Sequence, residues 1–209
     1  MASINDTDYC SRRIRCLLCI LLLTCAFAFA QEKIPSSLQT SNWDLSVWVA
    51  GSTGEETTNS FAQSQIFSAG ILGGRVITDE IGSRWRRGRL EYAFSLAPIF
   101  VTANNENIHG FGFEPVILRW NSALHTSRIA PYIELAGGGL ATDANLPPGK
   151  HTSSFNFTAK GGGGIYLFRG KRQALDIGFG WSHISNANLT DFNPEFNGLQ
   201  LRLGYHWYK

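Results

Sequence analysis

The residues best suited to covalent chemistry are a histidine and a serine, His183 and Ser185, in the run Trp-Ser-His-Ile-Ser-Asn-Ala-Asn at 181–188. On a β-strand, residues i and i+2 share one face and lie about 6.5 Å apart, so an imidazole that leans along the strand can reach the hydroxyl. Serine is a weak nucleophile unless a base takes its proton. The spacing therefore predicts Ser185 as a nucleophile and His183 as its general base.

Acyl transfer by such a pair needs an oxyanion donor and a group that orients the imidazole. Asn186 and the backbone N–H groups of the turn that follows it are placed to act as oxyanion donors. Glu195 and Asn197 share the parity of His183 across the next loop. Asn197 lies nearer the paired strand, whereas a carboxylate stabilises an imidazolium better than an amide does. We expect Glu195 to orient His183, with Asn197 as the alternative.

The stretch before the pair alternates in a way that is typical of a membrane-spanning strand. Leu175, Ile177, Phe179 and Trp181 have the parity of His183, while polar or very small residues occupy the opposite face. Similar alternation recurs in eight runs, and long and short connections alternate between them, as in outer-membrane barrels. We predict an all-β fold, an eight-stranded antiparallel transmembrane β-barrel of the outer-membrane type. The predicted strands are 43–51, 65–78, 86–101, 109–121, 128–142, 153–168, 173–185 and 197–208.

The same alternation predicts which residues face the lumen and which face outward from the wall. Charges of both signs face inward, and a barrel of eight strands is too narrow for an open channel, so we expect ion pairs that fill the lumen. These residues are Glu91, Glu114, Glu134, Lys160, Asp176 and Arg202. Aromatic residues near the ends of the runs suit belts at the membrane interfaces. They are Trp43, Trp48, Trp181, Trp207 and Tyr208.

The amino terminus has the pattern of a secretory signal peptide. Three arginines precede an apolar run that ends in Ala28-Phe29-Ala30, which predicts cleavage after Ala30. We therefore divide the chain into a signal peptide (1–30), a short periplasmic segment (31–42) and the barrel (43–209). All 4 cysteines lie in the signal peptide, so no disulfide is expected. A net charge of +2 does not suggest a nucleic-acid partner, and the histidines show no metal-ligand spacing, so we expect neither metal nor cofactor.

The segment His183-Ile-Ser-Asn-Ala187, followed by Asn193-Pro194 and an amphipathic last strand, resembles the lipid A 3-O-deacylases of the outer membrane, the PagL family. The resemblance implies a Gram-negative outer-membrane enzyme that removes the ester-linked 3-O acyl chain from lipid A of lipopolysaccharide. It implies that His183 is the base, Ser185 the nucleophile and Asn186 an oxyanion donor. A homodimer in the membrane is compatible with this pattern.

Three positions depart from the family pattern. Asn188 stands two positions after the expected oxyanion asparagine, where the family often has glycine, and asparagine tolerates unusual backbone angles better than most residues. Asn197 occupies the place of the family's catalytic glutamate, and Glu195 stands where glycine is common. Outer-membrane phospholipases A also resemble this region, with a His-x-Ser-Asn strand and an orienting asparagine, but they are larger barrels that depend on calcium. The alternatives to a deacylase are thus a non-catalytic small barrel, structural or adhesin-like, and a phospholipase.

Overall fold

The chain forms a closed antiparallel barrel in which each strand pairs with its neighbours in sequence and the first strand pairs with the last. The computed structural model describes residues 38–39, 42–54, 64–103, 107–124, 128–148 and 151–209. The fold class predicted from the alternation is confirmed. The strands are β1 (Trp43–Gly54), β2 (Gln65–Val76), β3 (Gly88–Ala103), β4 (His109–Ser122), β5 (Ile129–Leu146), β6 (Ser153–Phe168), β7 (Gln173–Ser185) and β8 (Phe196–Tyr208).

Each predicted run falls on one strand, and only the ends differ. The largest difference is in β5, which continues to Leu146 instead of ending at 142. We call the end of the barrel where β7 finishes and β8 begins the upper rim, and the opposite end the lower rim. No helix within the described ranges is long and apolar enough to cross a bilayer.

The predicted signal peptide, residues 1–30, and most of the segment 31–42 lie outside the described residues. Leu38, within that segment, is buried in a cluster at the lower end of the barrel. Its neighbours in this cluster include Tyr132, Tyr166, Phe168 and Tyr208. The chain just before β1 thus contributes an apolar side chain that packs into the lower end of the lumen.

Side chains alternate across the wall because successive residues of a strand point to opposite faces. In β1 the exposed hydrophobic side chains are Trp43, Leu45, Val47 and Val49, and the residues between them are buried. Two of the predicted belt residues are therefore assigned wrongly. Trp48 is buried in the lumen, where its Nε1 donates to Ser95 Oγ at 3.0 Å, and Tyr208 is also buried, because both have the inward parity of their strands.

The lower half of the lumen holds a continuous ionic network. At its centre Arg119 is fully buried, with Nη1 3.4 Å from Asp44 and 3.2 Å from Glu91. Arg119 Nη2 lies 2.6 Å from Glu134, which also contacts Arg202 Nη1 at 2.7 Å. The predicted lumen charges are thus paired, and Lys160 and Glu114 form a separate pair at 2.6 Å. The sequence prediction missed Arg119, Asp44 and His206 as members of the network.

A run of glycines in β6 makes room for this network. A Cβ at Gly164 would collide with Tyr132 Oη and would stand 2.5 Å from the carbonyl oxygen of Ile177. The freed space lets the Tyr132 hydroxyl donate to Asp176 Oδ1 at 2.6 Å. Small residues on the inner face of β6 therefore allow bulky polar groups to cross the narrow lumen.

Candidate active site

His183 and Ser185 lie in hydrogen-bond contact on the outer face of β7 at the upper rim. His183 Nε2 stands 2.9 Å from Ser185 Oγ. The strand itself creates this contact, because the two side chains emerge on one face with a single residue between them. Ile184, the residue between them, is buried on the opposite face. The imidazole and the hydroxyl expected to act together are therefore adjacent.

The other ring nitrogen of His183 contacts Asn197. Nδ1 lies 2.9 Å from Asn197 Oδ1, and the two residues are direct partners in the β7–β8 pairing, which brings side chains of one face together. Glu195, the residue we expected to orient the ring, instead accepts a hydrogen bond from Asn197 Nδ2 at 3.3 Å. The contact to the ring thus comes from the alternative, Asn197, because cross-strand register rather than charge decides which side chain reaches Nδ1.

These contacts define the tautomer that the site requires. A carboxylate can only accept, so the contact with Glu195 turns the Asn197 amide with Nδ2 towards Glu195 and Oδ1 towards the ring. His183 Nδ1–H then donates to Oδ1, and Nε2 keeps a lone pair that accepts the Ser185 Oγ–H. The arrangement can therefore deprotonate Ser185 during attack on a carbonyl carbon.

The pair sits in a partly enclosed position. Ser185 is 8% exposed and His183 is half-buried. The Trp181 ring stacks on the imidazole with 5.4 Å between centroids and an interplanar angle of 20°. Trp181 has the parity of His183 two residues earlier, so the sequence contained the signal for this contact. The stacking restricts rotation of the ring that must face Ser185.

Asn186, the expected oxyanion donor, is used inside the loop that follows β7. Its backbone N–H donates to Asn193 Oδ1 at 2.8 Å, and its Nδ2 donates to Thr190 Oγ1 and to the carbonyl oxygen of Phe192, both at 2.8 Å. Its Oδ1 accepts from the Asn188 N–H at 2.9 Å. Asn186 is completely buried, so in this arrangement it shapes the loop and presents no donor towards Ser185.

A shallow groove of about 520 Å³ runs along the outer wall beside this site. Gly51 forms its floor, since a Cβ there would meet no atom within 4 Å. Gly51 pairs with Phe67 on one side and with Leu201 on the other. Leu199, also on the groove, is the partner of Trp181, one step along the face from the Asn197–His183 pair. The groove therefore lies next to His183 and Asn197 on an apolar stretch of the outer wall, a feature that the sequence prediction did not include.

Comparison with known proteins gives one family and several barrels. Residues 63–206 match the family model described as lipid A 3-O-deacylase (PagL). No curated protein sequence matches the chain significantly. Among solved structures, the outer membrane enzyme PagL aligns with a TM-score of 0.54 and 19% identity, covering 77% of this chain and 97% of that one.

Two other solved barrels align about as well. Neisserial surface protein A (NspA) gives a TM-score of 0.52 and 14% identity, covering 79% of this chain and 95% of that one. The outer membrane protein OprG from Pseudomonas aeruginosa gives a TM-score of 0.51 and 8% identity, covering 82% of this chain and 97% of that one. These similarities show a fold shared with outer-membrane barrels. The family model covers more than half of the chain, including β7 and most of β8, and the chain therefore belongs to the lipid A 3-O-deacylase (PagL) family.

Proposed function

We propose that the chain is an outer-membrane serine esterase that removes the ester-linked 3-O acyl chain from lipid A of lipopolysaccharide in a Gram-negative bacterium. The observation that carries the proposal is the Ser185–His183–Asn197 chain of contacts, 2.9 Å at each step, on the outer face of the wall. A structural barrel has no need of a hydroxyl, an imidazole and an amide aligned on a lipid-facing stripe. Family membership supports the substrate.

In the first half-reaction, Ser185 Oγ attacks the carbonyl carbon of the ester while His183 Nε2 takes its proton. Asn197 Oδ1 accepts the Nδ1–H and stabilises the resulting imidazolium, with Glu195 behind the amide. When the tetrahedral intermediate collapses, the bond from the carbonyl carbon to the sugar oxygen breaks. His183 returns the proton to that oxygen, and the acyl chain stays on Ser185.

The second half-reaction uses the same groups with water. His183 takes a proton from water, the hydroxide attacks the acyl carbonyl carbon, and the fatty acid leaves as Ser185 Oγ regains the proton. We assign the oxyanion donor to the backbone of the turn after Ser185, because the N–H groups of Asn186 are already bonded. Ala187 and Asn188 both have positive φ, 51° and 62°, and such strained turns occur at functional sites. The Asn188 N–H is held by Asn186, so we assign the role to the Ala187 N–H.

The groove beside the triad supports a lipid substrate. Its walls include Phe67, Phe179, Leu199 and Leu201, all on the outer face. An acyl chain in the groove would lie parallel to the wall with its carboxyl end near Ser185. This geometry requires the upper rim to be at the level of the leaflet that contains lipid A.

The proposal is tested by comparing two serines of the same strand. Ser185→Ala should abolish the release of 3-hydroxy fatty acid from purified lipid A, measured by mass spectrometry, while the barrel stays folded and heat-modifiable on gels. Ser182→Ala is the matched control, since Ser182 is buried on the lumen side of β7 and should leave turnover intact. Deacylation by Ser185→Ala at the wild-type rate would exclude the mechanism.

The alternatives give different outcomes in the same experiment. A phospholipase would release fatty acid from glycerophospholipids faster than from lipid A, and the loss in Ser185→Ala would then appear with that substrate. A non-catalytic barrel, which the fold shared with NspA and OprG also allows, would release nothing from either lipid.

A further inference from the structure

The lower rim carries exposed tryptophan and arginine side chains in one sector of the outer face. Trp43, at the start of β1, is 51% exposed, and Trp85, in the β2–β3 connection, is 64% exposed. The Arg75 guanidinium lies 5.4 Å from the centroid of the Trp43 ring, and that of Arg86 lies 4.9 Å from the Trp85 ring. We call these four residues and the exposed Arg84 the tryptophan–arginine patch.

The connection that holds most of this patch is unusual for its end of the barrel. It runs from Ile77 to Arg87 and is the longest of the three connections on the lower rim, where outer-membrane barrels typically have short turns. It also exposes about half of the side chains of Ile77 and Ile81. Exposed aliphatic and indole groups beside a barrel wall are suited to the interfacial zone of a bilayer.

The acids nearest in sequence to most of the patch are Asp79 and Glu80, in the same connection. Glu80, in the same connection, is engaged by Arg87, whose Nε donates to it at 2.6 Å. Within the described part of the chain, no salt bridge involves Arg75, Arg84 or Arg86. Arg84 also has a φ of 53°, a conformation unfavourable for a residue with a Cβ. The patch therefore presents positive charge outward beside apolar groups.

We propose that the tryptophan–arginine patch binds the anionic headgroups of phospholipids in the leaflet at the lower rim. Arginine pairs with phosphate oxygens through parallel N–H donors, and indole rings lie at the headgroup level. Lipid A is not the occupant, because the proposed reaction places lipid A at the upper rim, across the bilayer. The binding would hold the barrel at a defined depth and orientation, an activity separate from ester hydrolysis.

The test measures lipid binding without a catalytic readout. The folded chain is purified in a non-ionic detergent and mixed with phosphatidylglycerol or phosphatidylcholine of the same acyl chains, and bound lipids are counted by native mass spectrometry. About tenfold tighter retention of phosphatidylglycerol is expected, since each basic side chain at an anionic surface contributes. The triple variant Arg75→Gln, Arg84→Gln, Arg86→Gln should reduce this preference to less than about twofold.

The matched control removes the same charge from another part of the lower rim. The triple variant Arg169→Gln, Lys171→Gln, Arg172→Gln, in the β6–β7 turn, should keep most of the preference. Equal retention of the two lipids by the wild type would overturn the proposal, as would an equal loss in both triple variants, which would indicate diffuse rim charge. Because Ser185→Ala should bind phosphatidylglycerol like the wild type, failure here is distinguishable from failure of the esterase proposal.

Discussion

Two histidines on opposite faces of the wall show how one residue type is put to different uses. His183, on the outer face, has an amide oxygen at Nδ1 and a hydroxyl at Nε2, each 2.9 Å away. His206, in the lumen, has Asp44 at 2.8 Å from Nδ1 and Asp176 at 3.6 Å from Nε2. It is 1% exposed, and the Asp176 carboxylate stands on the Nε2 side, where His183 has the Ser185 hydroxyl.

The two histidine rings differ in whether a hydrogen-bond partner can give them a proton. His206 faces carboxylates, which only accept hydrogen bonds, so its ring acts as a donor in a closed network. His183 faces one acceptor and one hydroxyl donor, so a proton can move from the hydroxyl to the ring. The outer wall therefore carries a hydrogen-bond arrangement suited to proton transfer, and the lumen carries a closed one, although the two histidines lie on adjacent strands.

The largest expected effect separates these two histidines. His183→Ala should lower lipid A deacylation by about 10⁴-fold, as removal of a triad member does, and should leave the unfolding midpoint in urea nearly unchanged. His206→Ala should leave deacylation nearly unchanged. It should lower the free energy of unfolding by about 1–3 kcal/mol, because buried carboxylates lose a partner. Loss of turnover in a stably folded His206→Ala barrel would break the comparison.

The second-largest expected effect is a loss in the free energy of unfolding when the lumen network is broken. Arg119→Met should lower the free energy of unfolding by about 3–5 kcal/mol, because it leaves buried carboxylates uncompensated. Lys160→Met, which removes the pair with Glu114 and the contact of the Lys160 ammonium with the Trp48 ring, is the control and should cost less. Both are measured by urea unfolding in lipid or detergent. A larger cost for Lys160→Met would show that Arg119 is not the centre of the network.

The orienting residue is tested by comparing Asn197→Ala with Glu195→Gln. Asn197→Ala removes the acceptor at 2.9 Å from His183 Nδ1 and should lower kcat by about 10²-fold. Glu195→Gln keeps an acceptor for the Asn197 amide and should cost only a few-fold. Single-turnover rates with lipid A measure both. A greater loss in Glu195→Gln would assign the orienting role to Glu195.

The smallest expected effect is on the preference for the length of the substrate's acyl chain. Gly51→Leu should fill the floor of the groove, where a Cβ would meet no atom within 4 Å. It should lower the ratio of kcat/KM for long-chain to short-chain esters about 3–10-fold, as expected when a few methylene contacts are lost. Val49→Leu, at the next outward position of β1, is the control. An unchanged ratio in Gly51→Leu would place the acyl chain elsewhere.

Strand alternation was readable from the sequence because it is local. A period of two follows from backbone geometry alone. The alternation in β7, with Phe179 and Trp181 outward and Asp176 inward, therefore predicted both the barrel and its two faces. The contact of His183 with Ser185 has the same origin, since no more than one strand is needed to bring residues i and i+2 together. These features required no knowledge of how strands pair.

Features that join distant segments were decided by the tertiary structure. The register of β7 with β8 places Asn197 opposite His183, and a one-residue shift would have exchanged the faces; charge alone had favoured Glu195. The loop after β7 folds so that the N–H groups of Asn186 donate to Asn193 and Thr190 within the same loop. Arg119 of β4 meets Asp44 of β1 only because closure of the eight-stranded barrel brings these two unpaired strands together across one narrow lumen. Backbone periodicity thus determined which face each side chain occupies, whereas pairing between strands determined which side chain it meets there.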